Sequence, residues 1–404
     1  MQSLGRGRAE ASLMLQFQTA GESHGEALVA TLSGLPAGLR VDFAYVDREL
    51  KRRQGGYGRG GRMKIESDAA HFLSGVRHGR TIGSPIALLI ANRDWENWKD
   101  ALAVEERPEA LAKYKPLSPP RPGHADLAGC LKYNFREARY VLERASARET
   151  TARVAVGALA KLFLKEFEIE VASHVVALGE VALECDAVPF EKVLALRDHE
   201  EIVLSCVDSA VEARMKQEVD RALEARDTVG GTFEVIAHGV PPGLGSCAQW
   251  DERLDGQLAQ AVMSIQAVKA VELGSGISNA ASPGSKVQDE IGYDRERTRF
   301  TRRSNRAGGL EGGITNGEDV VVRGYLKPIS TLRRPLESVD FQTKEPVKAA
   351  YERSDVCVVP AAGVVGEAMV ALTLARAFLL KFGGDSLEET RRNFQGYIEQ
   401  VRRF

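Results

Sequence analysis

A faint internal repeat constrains the fold of this chain more than any other feature. Gly34-Leu35-Pro36-Ala37-Gly38-Leu39, followed by Asp47 and Leu50, is echoed a little over 200 residues later. The echo is Gly239-Val240-Pro241-Pro242-Gly243-Leu244, followed by Asp251 and Leu254. At a similar offset, the small-residue helix after Arg148-Glu149 is matched by the one after Gly366-Glu367. Two related halves packed as one unit are expected, so residues 14–404 are read as a single catalytic domain. Residues 1–13 lack a hydrophobic segment and are read as a disordered extension that is not a secretory signal.

Local patterns fill in the halves. Residues 13–19 and 27–32 read as strands flanking the loop Gly21-Glu22-Ser23-His24-Gly25. Asp42 or Asp47 caps a short helix running to Arg53. Strand-like alternation returns around 63–76 and 84–91. Ser146-Ala147-Arg148-Glu149 has the spacing of a capping box, and Val154, Ala155, Ala158, Leu159, Leu162 and Phe163 share one face of the helix behind it. Further helices are expected at 208–226, 251–264 and 366–382, the last stopped by Gly383-Gly384. Strands near 202–207, 230–237, 318–325 and 356–359 separate them. Strands, hairpins and helices without regular βα alternation argue an α+β fold.

Charge and cysteine usage narrow the function. The net charge of −2 supplies no global field for nucleic acid or an anionic membrane, and no apolar run reaches the ~20 residues of a membrane span. Five cysteines (Cys130, Cys185, Cys206, Cys247, Cys357) are scattered singly, which reads as reduced, mostly core thiols of a cytoplasmic protein. None of the Cys, His, Asp and Glu spacings matches a metal-ligand pattern.

The chemistry is carried by loops. His24 and His124 each sit in a tight turn, where an imidazole can exchange protons near neutral pH. His71, His78, His174, His199 and His238 lack such a setting and read as surface or structural histidines. Arginines recur beside glycines: Arg52, Arg53, Arg59 and Arg62, then Arg121, Arg144, Arg148, Arg302, Arg303, Arg306 and Arg353. In a chain of near-neutral charge that pattern implies a local anion site, because guanidinium forks bind carboxylate and phosphate bidentately. Ser146 at a helix start and Lys327-Pro328-Ile329-Ser330-Thr331 are candidate phosphate cradles, with the glycine-rich Gly308–Ile314 stretch just before the latter. Gly56-Tyr57-Gly58-Arg59-Gly60-Gly61 matches G-x-G-x-x-G in form only. Charged residues stand where the preceding strand of a dinucleotide fold would be. Gly58-Arg59-Gly60-Gly61-Arg62 is likewise a short RGG-like run, too brief for an RNA-binding tract.

Taken in order, Gly21-Glu22-Ser23-His24-Gly25, Arg121-Pro122-Gly123-His124-Ala125-Asp126, Arg144-Ala145-Ser146-Ala147-Arg148-Glu149-Thr150 and Arg353-Ser354-Asp355 with Val359-Pro360-Ala361-Ala362 resemble the signature segments of the chorismate synthases. The resemblance runs from about Met14 to the last helix. It implies a carbon–oxygen lyase of the shikimate pathway of aromatic amino acid biosynthesis. The reaction would be the anti-1,4-elimination of phosphate from 5-enolpyruvylshikimate 3-phosphate, dependent on reduced FMN, in a homotetramer whose helices are sandwiched between antiparallel sheets. His24, His124 and Asp355 would be catalytic. Arg144, Ala145, Ser146, Gln266, Ala267, Gly312, Lys327, Pro328, Ile329, Ser330, Thr331 and Arg353 would contact FMN, although alanine at 145 replaces a serine common in the family. Ser23, Arg53, Arg59, Arg62, Arg121 and Arg148 would face the substrate, with Arg53 and Arg59 matching positions recorded for NADPH in some members. Without an evident reductase domain, NADPH would act only through an external flavin reductase.

Overall fold

The computed structural model describes residues 15–60, 67–113, 116–184, 187–198, 203–350 and 355–404. The extension 1–13, Arg62, Cys185, His199 and Arg353 therefore lie outside the described residues.

The first half opens with strands β1 (Gln16–Ala20) and β2 (Ala27–Ser33), then helix α1 (Phe43–Gln54), strand β3 (His71–Phe72) and strand β4 (Ile86–Ala91). Alternation of buried and half-exposed positions along β2 and β4 puts one face of this sheet on the core. Helices α2 (Asp126–Tyr133), α3 (Arg139–Ala145) and α4 (Thr150–Lys165) follow. The second half contains strands β5 (Glu170–Leu178) and β6 (Val181–Ala182), helix α5 (Ser209–Glu224) and strand β7 (Gly231–His238). It continues with helix α6 (Leu254–Met263), strands β8 (Val268–Leu273) and β9 (Val320–Leu326), and helices α7 (Val359–Phe382) and α8 (Leu387–Arg402).

The sheets run β1-β2-β4-β3 and β8-β9-β7-β5-β6, antiparallel throughout. With the two-residue edge strand β6 set aside, the four remaining strands of each sheet take the same spatial order: first, second, fourth, third. The repeat extends to single hydrogen bonds. Thr81 Oγ1 donates to Pro36 O (2.6 Å) and accepts from Leu39 N (3.0 Å); Thr315 Oγ1 donates to Pro241 O (2.7 Å) and accepts from Leu244 N (2.8 Å). Each threonine ends a two-residue hairpin whose turn residues, His78-Gly79 and Gly312-Gly313, all have positive φ. That is the turn whose twist matches paired strands. Gly38 and Gly243, at φ 94° in both copies, hold the same bend.

Between the sheets lie α4 and α7, which pack on each other, with α1 against both helices, α4 against β2, and α7 against β5 and β7. Sandwiched this way, α4 is buried on nearly every side rather than along the single expected face, and Leu162 on that face is only half-buried. Small residues permit the close approach: a Cβ on Gly157 would sit 2.3 Å from Ala368 Cβ, and one on Gly366 would sit 2.5 Å from the Phe233 ring. Helix α7 is long and apolar enough to span a bilayer by composition, yet it is buried between the sheets. This core also holds a charge network. Glu367, fully buried, is bound by Arg52 through two bonds (2.7 and 2.9 Å), by Lys161, and by Ser173 (2.7 Å). Lys161 also meets Glu49, so α1, α4, α7 and β5 are tied by one cluster.

Several boundaries differ from expectation. Asp42 is the cap of α1, its Oδ1 accepting from Tyr45 N at 3.0 Å. Residues 203–207 are not a strand, although Ser205 O accepts from Val175 N. Residues 356–358 are not a strand either, and α7 begins at Val359 because Pro360 lacks the N–H that a ladder needs but suits a first helical turn. The 63–76 alternation yields only β3 and the Val76–Arg77 strand of the Thr81 hairpin among the described residues. Cys130, Cys206 and Cys357 are buried free thiols, and Cys247 is exposed.

Candidate functional site

The loop 21–25 joins β1 to β2 and docks on the C-terminal end of α3. Ser23 N donates to Glu143 O (3.0 Å), and Arg144 reaches Gly21 O and Thr19 O (3.3 and 2.9 Å). Asn92, just after β4, donates to Gly25 O (2.7 Å) and Glu22 O (3.2 Å), so the loop carbonyls are held from below. His24 is anchored by Glu143, which accepts from His24 N (2.8 Å) and lies 2.9 Å from Nδ1. Burial opposes ionisation of Glu143, but the hydrogen bonds and charge of His24 and the Arg139 guanidinium hold its pKa below the usual carboxylate range.

His124 has its own carboxylate. Asp126 Oδ1 lies 2.6 Å from His124 Nδ1, and Arg121 clamps Asp126 through Nε (2.8 Å) and Nη2 (3.1 Å). Burial again opposes ionisation, and His124 and Arg121 outweigh it, so Asp126 is held far below the ordinary aspartate value. Arg121 also donates to Thr331 Oγ1 (2.9 Å). The Lys327 ammonium and Ser330 Oγ both reach Gly123 O (2.5 and 2.9 Å), which seats the 327–331 segment against the His124 turn. Partial burial and nearby Lys269 lower the Lys327 pKa.

The third part is a guanidinium cluster. Arg53, 5% exposed, donates to Thr150 Oγ1 (2.9 Å) and Ala147 O (2.8 Å), at the start of α4. Its Nη1 has no partner among the described residues. Burial, then the charges of Arg59 and Arg148, push its pKa down to about 9 against the opposing pull of Asp68 and Asp355. Arg148 is held by Asp68 (2.8 Å) and Asn92 (2.9 Å). Asp355 lies 3.3 Å from Arg59 and accepts from Gly60 N at 2.5 Å. Val356 N donates to Gly58 O (2.8 Å), so α7 begins beside this glycine-arginine loop, while Arg53 binds the start of α4. Three crowded guanidiniums and two helix N-termini favour an anion.

Named bonds join these parts. Ser146 Oγ donates to Ser23 Oγ (3.1 Å) and accepts from Arg148 N (3.3 Å), capping the 3-10 turn Ala147–Glu149. The reciprocal half of the expected capping box is replaced: Glu149 takes bonds from Thr19 (3.1 Å) and Gln266 (3.0 Å) and pairs with Arg153 (2.6 Å). Ala267, strained at φ 69°, accepts from Lys327 N (3.0 Å), which links Gln266 to the His124 side. Thus His24, His124, Asp355, Ser23, Arg53, Arg59, Arg121, Arg148, Arg144, Ala145, Ser146, Gln266, Ala267 and 327–331 form one connected region. For Gly312 no hydrogen bond or ion pair among the described residues ties its hairpin turn to the histidine loops, and a Cβ placed there would meet Cys247 Cβ at 3.9 Å.

Sequence reasoning gave no orienting role to Glu143, Asp126, Asn92 and Asp68, and gave Glu149 only the capping role. The available signal was adjacency, since Glu143 precedes Arg144 and Asp126 ends the His124 motif. Of the other described histidines, His71 and His78 are exposed, His174 is buried against Glu234 (2.9 Å), and the exposed His238 pairs with Asp319 (2.7 Å). An open cleft of about 1340 Å³ lies elsewhere, between the Ile291–Asp294 and Arg299–Arg302 hairpin and α8, and is lined by none of the histidine-loop residues. His238 and Glu311 line that cleft, apart from the histidine loops and the guanidinium cluster.

The loop histidines with their carboxylates, and a buried guanidinium cluster, are thus carried on a doubled α+β fold. The family model described as chorismate synthase matches residues 15–379. A chorismate synthase of Koribacter versatilis is 66% identical over 395 residues, covering 97% of this chain and all of the relative. That of Geobacter sulfurreducens is 56% identical over 399 residues with the same coverage. A solved structure titled "Crystal Structure of Chorismate Synthase" superposes with a TM-score of 0.77 at 43% identity, covering 97% of this chain and 99% of that one. The chain belongs to the chorismate synthase family, a family of flavin-using carbon–oxygen lyases.

Proposed function

We propose that this chain converts 5-enolpyruvylshikimate 3-phosphate to chorismate and inorganic phosphate by anti-1,4-elimination with reduced FMN bound. The observation that carries the reading is the convergence of both histidine–carboxylate pairs on one arginine-lined region. A substrate with one phosphate and two carboxylates suits Arg53, Arg59 and Arg148, and the unpartnered Nη1 of Arg53 is a buried donor awaiting an oxygen.

The residues present also fit a flavin mononucleotide. Gln266 Oε1 is buried without a partner among the described residues, and Lys327, Ser330 and Thr331 line a cationic, hydroxyl-rich wall. Arg144, Ala145, Ser146, Gln266, Ala267 and 327–331 would hold the cofactor, and it supplies transient electron density to an elimination without net redox change. His24 stands nearer the Arg148 and Ser146 side, where it gives a proton to the departing phosphate oxygen. His124 stands on the Lys327–Thr331 wall and holds a proton towards the cofactor. Asp355, held by Arg59 (3.3 Å) and the Gly60 N–H (2.5 Å), is the carboxylate available to the C6 proton. The C–O bond to phosphate and the C6–H bond break, and a new C=C bond forms.

We extend the proposal to a homotetramer in the cytoplasm, with residues 14–404 as one catalytic domain and the flavin reduced by an external reductase. NADPH alone would then leave bound FMN oxidised under anaerobic conditions. The test of the site is turnover and FMN affinity in His24→Ala and His124→Ala. Both variants should keep FMN binding and lose at least about 10²-fold in kcat. Full activity in either would remove that histidine from the mechanism.

A further inference from the structure

His24 and Glu143 belong to a closed ring of four side chains. Glu143 lies against His24 Nδ1 through both oxygens (2.9 and 3.1 Å) and accepts from Arg139 Nη1 (3.3 Å). The Arg139 guanidinium lies over the Trp98 ring at 4.8 Å, and Trp98 lies against the His24 ring at 4.4 Å with 31° between planes. Trp98 is itself held by a bond from its indole N–H to Asp94 (3.2 Å). Glu143 is 1% exposed, and Arg139 is 8% exposed.

We propose that Glu143, seated by Arg139, is a positioning residue that keeps the proton on His24 Nδ1, while Trp98 fixes the plane of the imidazole. This rests on the reading that His24 serves the elimination. Which imidazole nitrogen carries the proton is set by the bond the other nitrogen makes. A carboxylate here accepts on both oxygens at once: Oε2 takes the His24 backbone N–H at 2.8 Å, and Oε1 faces Nδ1. Proton exchange with a ligand therefore runs through Nε2, in a ring that cannot turn without breaking its stack on Trp98. Glu143 lies 119 positions along the chain from His24 and fixes backbone and ring of that residue, so it sets both where the loop lies and which tautomer it presents.

The isosteric Glu143→Gln variant separates these effects. A glutamine has one acceptor oxygen, so either the His24 N–H or Nδ1–H must face its amide NH₂. In protein labelled with ¹⁵N-histidine, with His24 signals assigned by their loss in His24→Gln, wild type should show the Nδ1-protonated pattern in the neutral ring. Glu143→Gln should show an averaged or swapped pattern. Its kcat should fall about 10²-fold with KM for 5-enolpyruvylshikimate 3-phosphate within about threefold, since a tautomer error removes a transition-state interaction rather than ground-state binding. Trp98→Leu, which leaves Glu143 in place, should keep the tautomer and lower kcat more modestly, about tenfold. An unchanged tautomer in Glu143→Gln, or a changed one with unchanged kcat, would overturn the proposal. If wild type were inactive towards this substrate the functional reading would fail, while the ring-nitrogen signals would still decide whether Glu143 sets the tautomer.

Discussion

Replacing Gly157 by alanine pits two effects against each other at the centre of the molecule. Alanine is the better helix former by about 1 kcal/mol, so an exposed glycine at that place in α4 would gain stability on substitution. Here the new Cβ would stand 2.3 Å from Ala368 Cβ, 2.7 Å from its Cα and 3.1 Å from its carbonyl oxygen. Those are backbone and near-backbone atoms of α7, which cannot swing aside as a long side chain would. Overpacking of a tight core costs about 1–3 kcal/mol, and rigid backbone neighbours place this site at or above the upper end. The net expectation is a destabilisation of about 2 kcal/mol. Urea unfolding followed by both far-ultraviolet circular dichroism and tryptophan fluorescence measures it, with wild type and variant compared at matched slopes. The double variant Gly157→Ala/Ala368→Gly should recover only part of the loss, because the Cα at 2.7 Å remains. A Gly157→Ala protein as stable as wild type would refute the close crossing of α4 and α7 and the layered core built on it.

Three further outcomes follow from the same geometry. Glu367→Ala strips the buried network of the carboxylate bound by Arg52, Lys161 and Ser173 and should cost about 3–5 kcal/mol by thermal or urea unfolding. Asp126 has a folded pKa below its unfolded value, so it contributes stability present above pH ~4 and lost as pH falls towards the folded pKa. Wild type should therefore exceed Asp126→Asn in stability at pH 6, with the gap closing as unfolding is repeated below pH 4; a pH-independent gap would contradict the ionised pair. Lys327→Ala removes an ammonium from the wall facing the His124 turn and should weaken FMN binding about tenfold in a fluorescence titration.

The sequence carried the architecture well where it repeats itself. The Gly-x-Pro-x-Gly-Leu echo turned out to be the same bend, closed by Thr81 in one half and Thr315 in the other, threonines that no motif flagged because their partners lie 42 and 71 residues away. Boundaries failed where tertiary packing overrides local pattern. Residues 356–358 are extended-looking in composition, but the chain there leads into a helix buried on all sides, whose small residues erase the amphipathic period. At the site, loop residues were legible because glycine, histidine and arginine together are rare in structural roles. The supporting acids were not, because a buried glutamate such as Glu143 looks in sequence like an ordinary helical surface charge. Gly312, brought in by family position, is a turn residue of the Leu310–Thr315 hairpin, and no hydrogen bond or ion pair among the described residues ties it to the histidine loops.

The measurement that bears most directly on the central claim is anaerobic turnover with chemically reduced FMN and 5-enolpyruvylshikimate 3-phosphate, following chorismate absorbance and phosphate release together. Both products should appear in equal amounts, with the flavin reduced at the end as at the start. Well-folded protein that binds FMN and substrate yet releases neither product would contradict it.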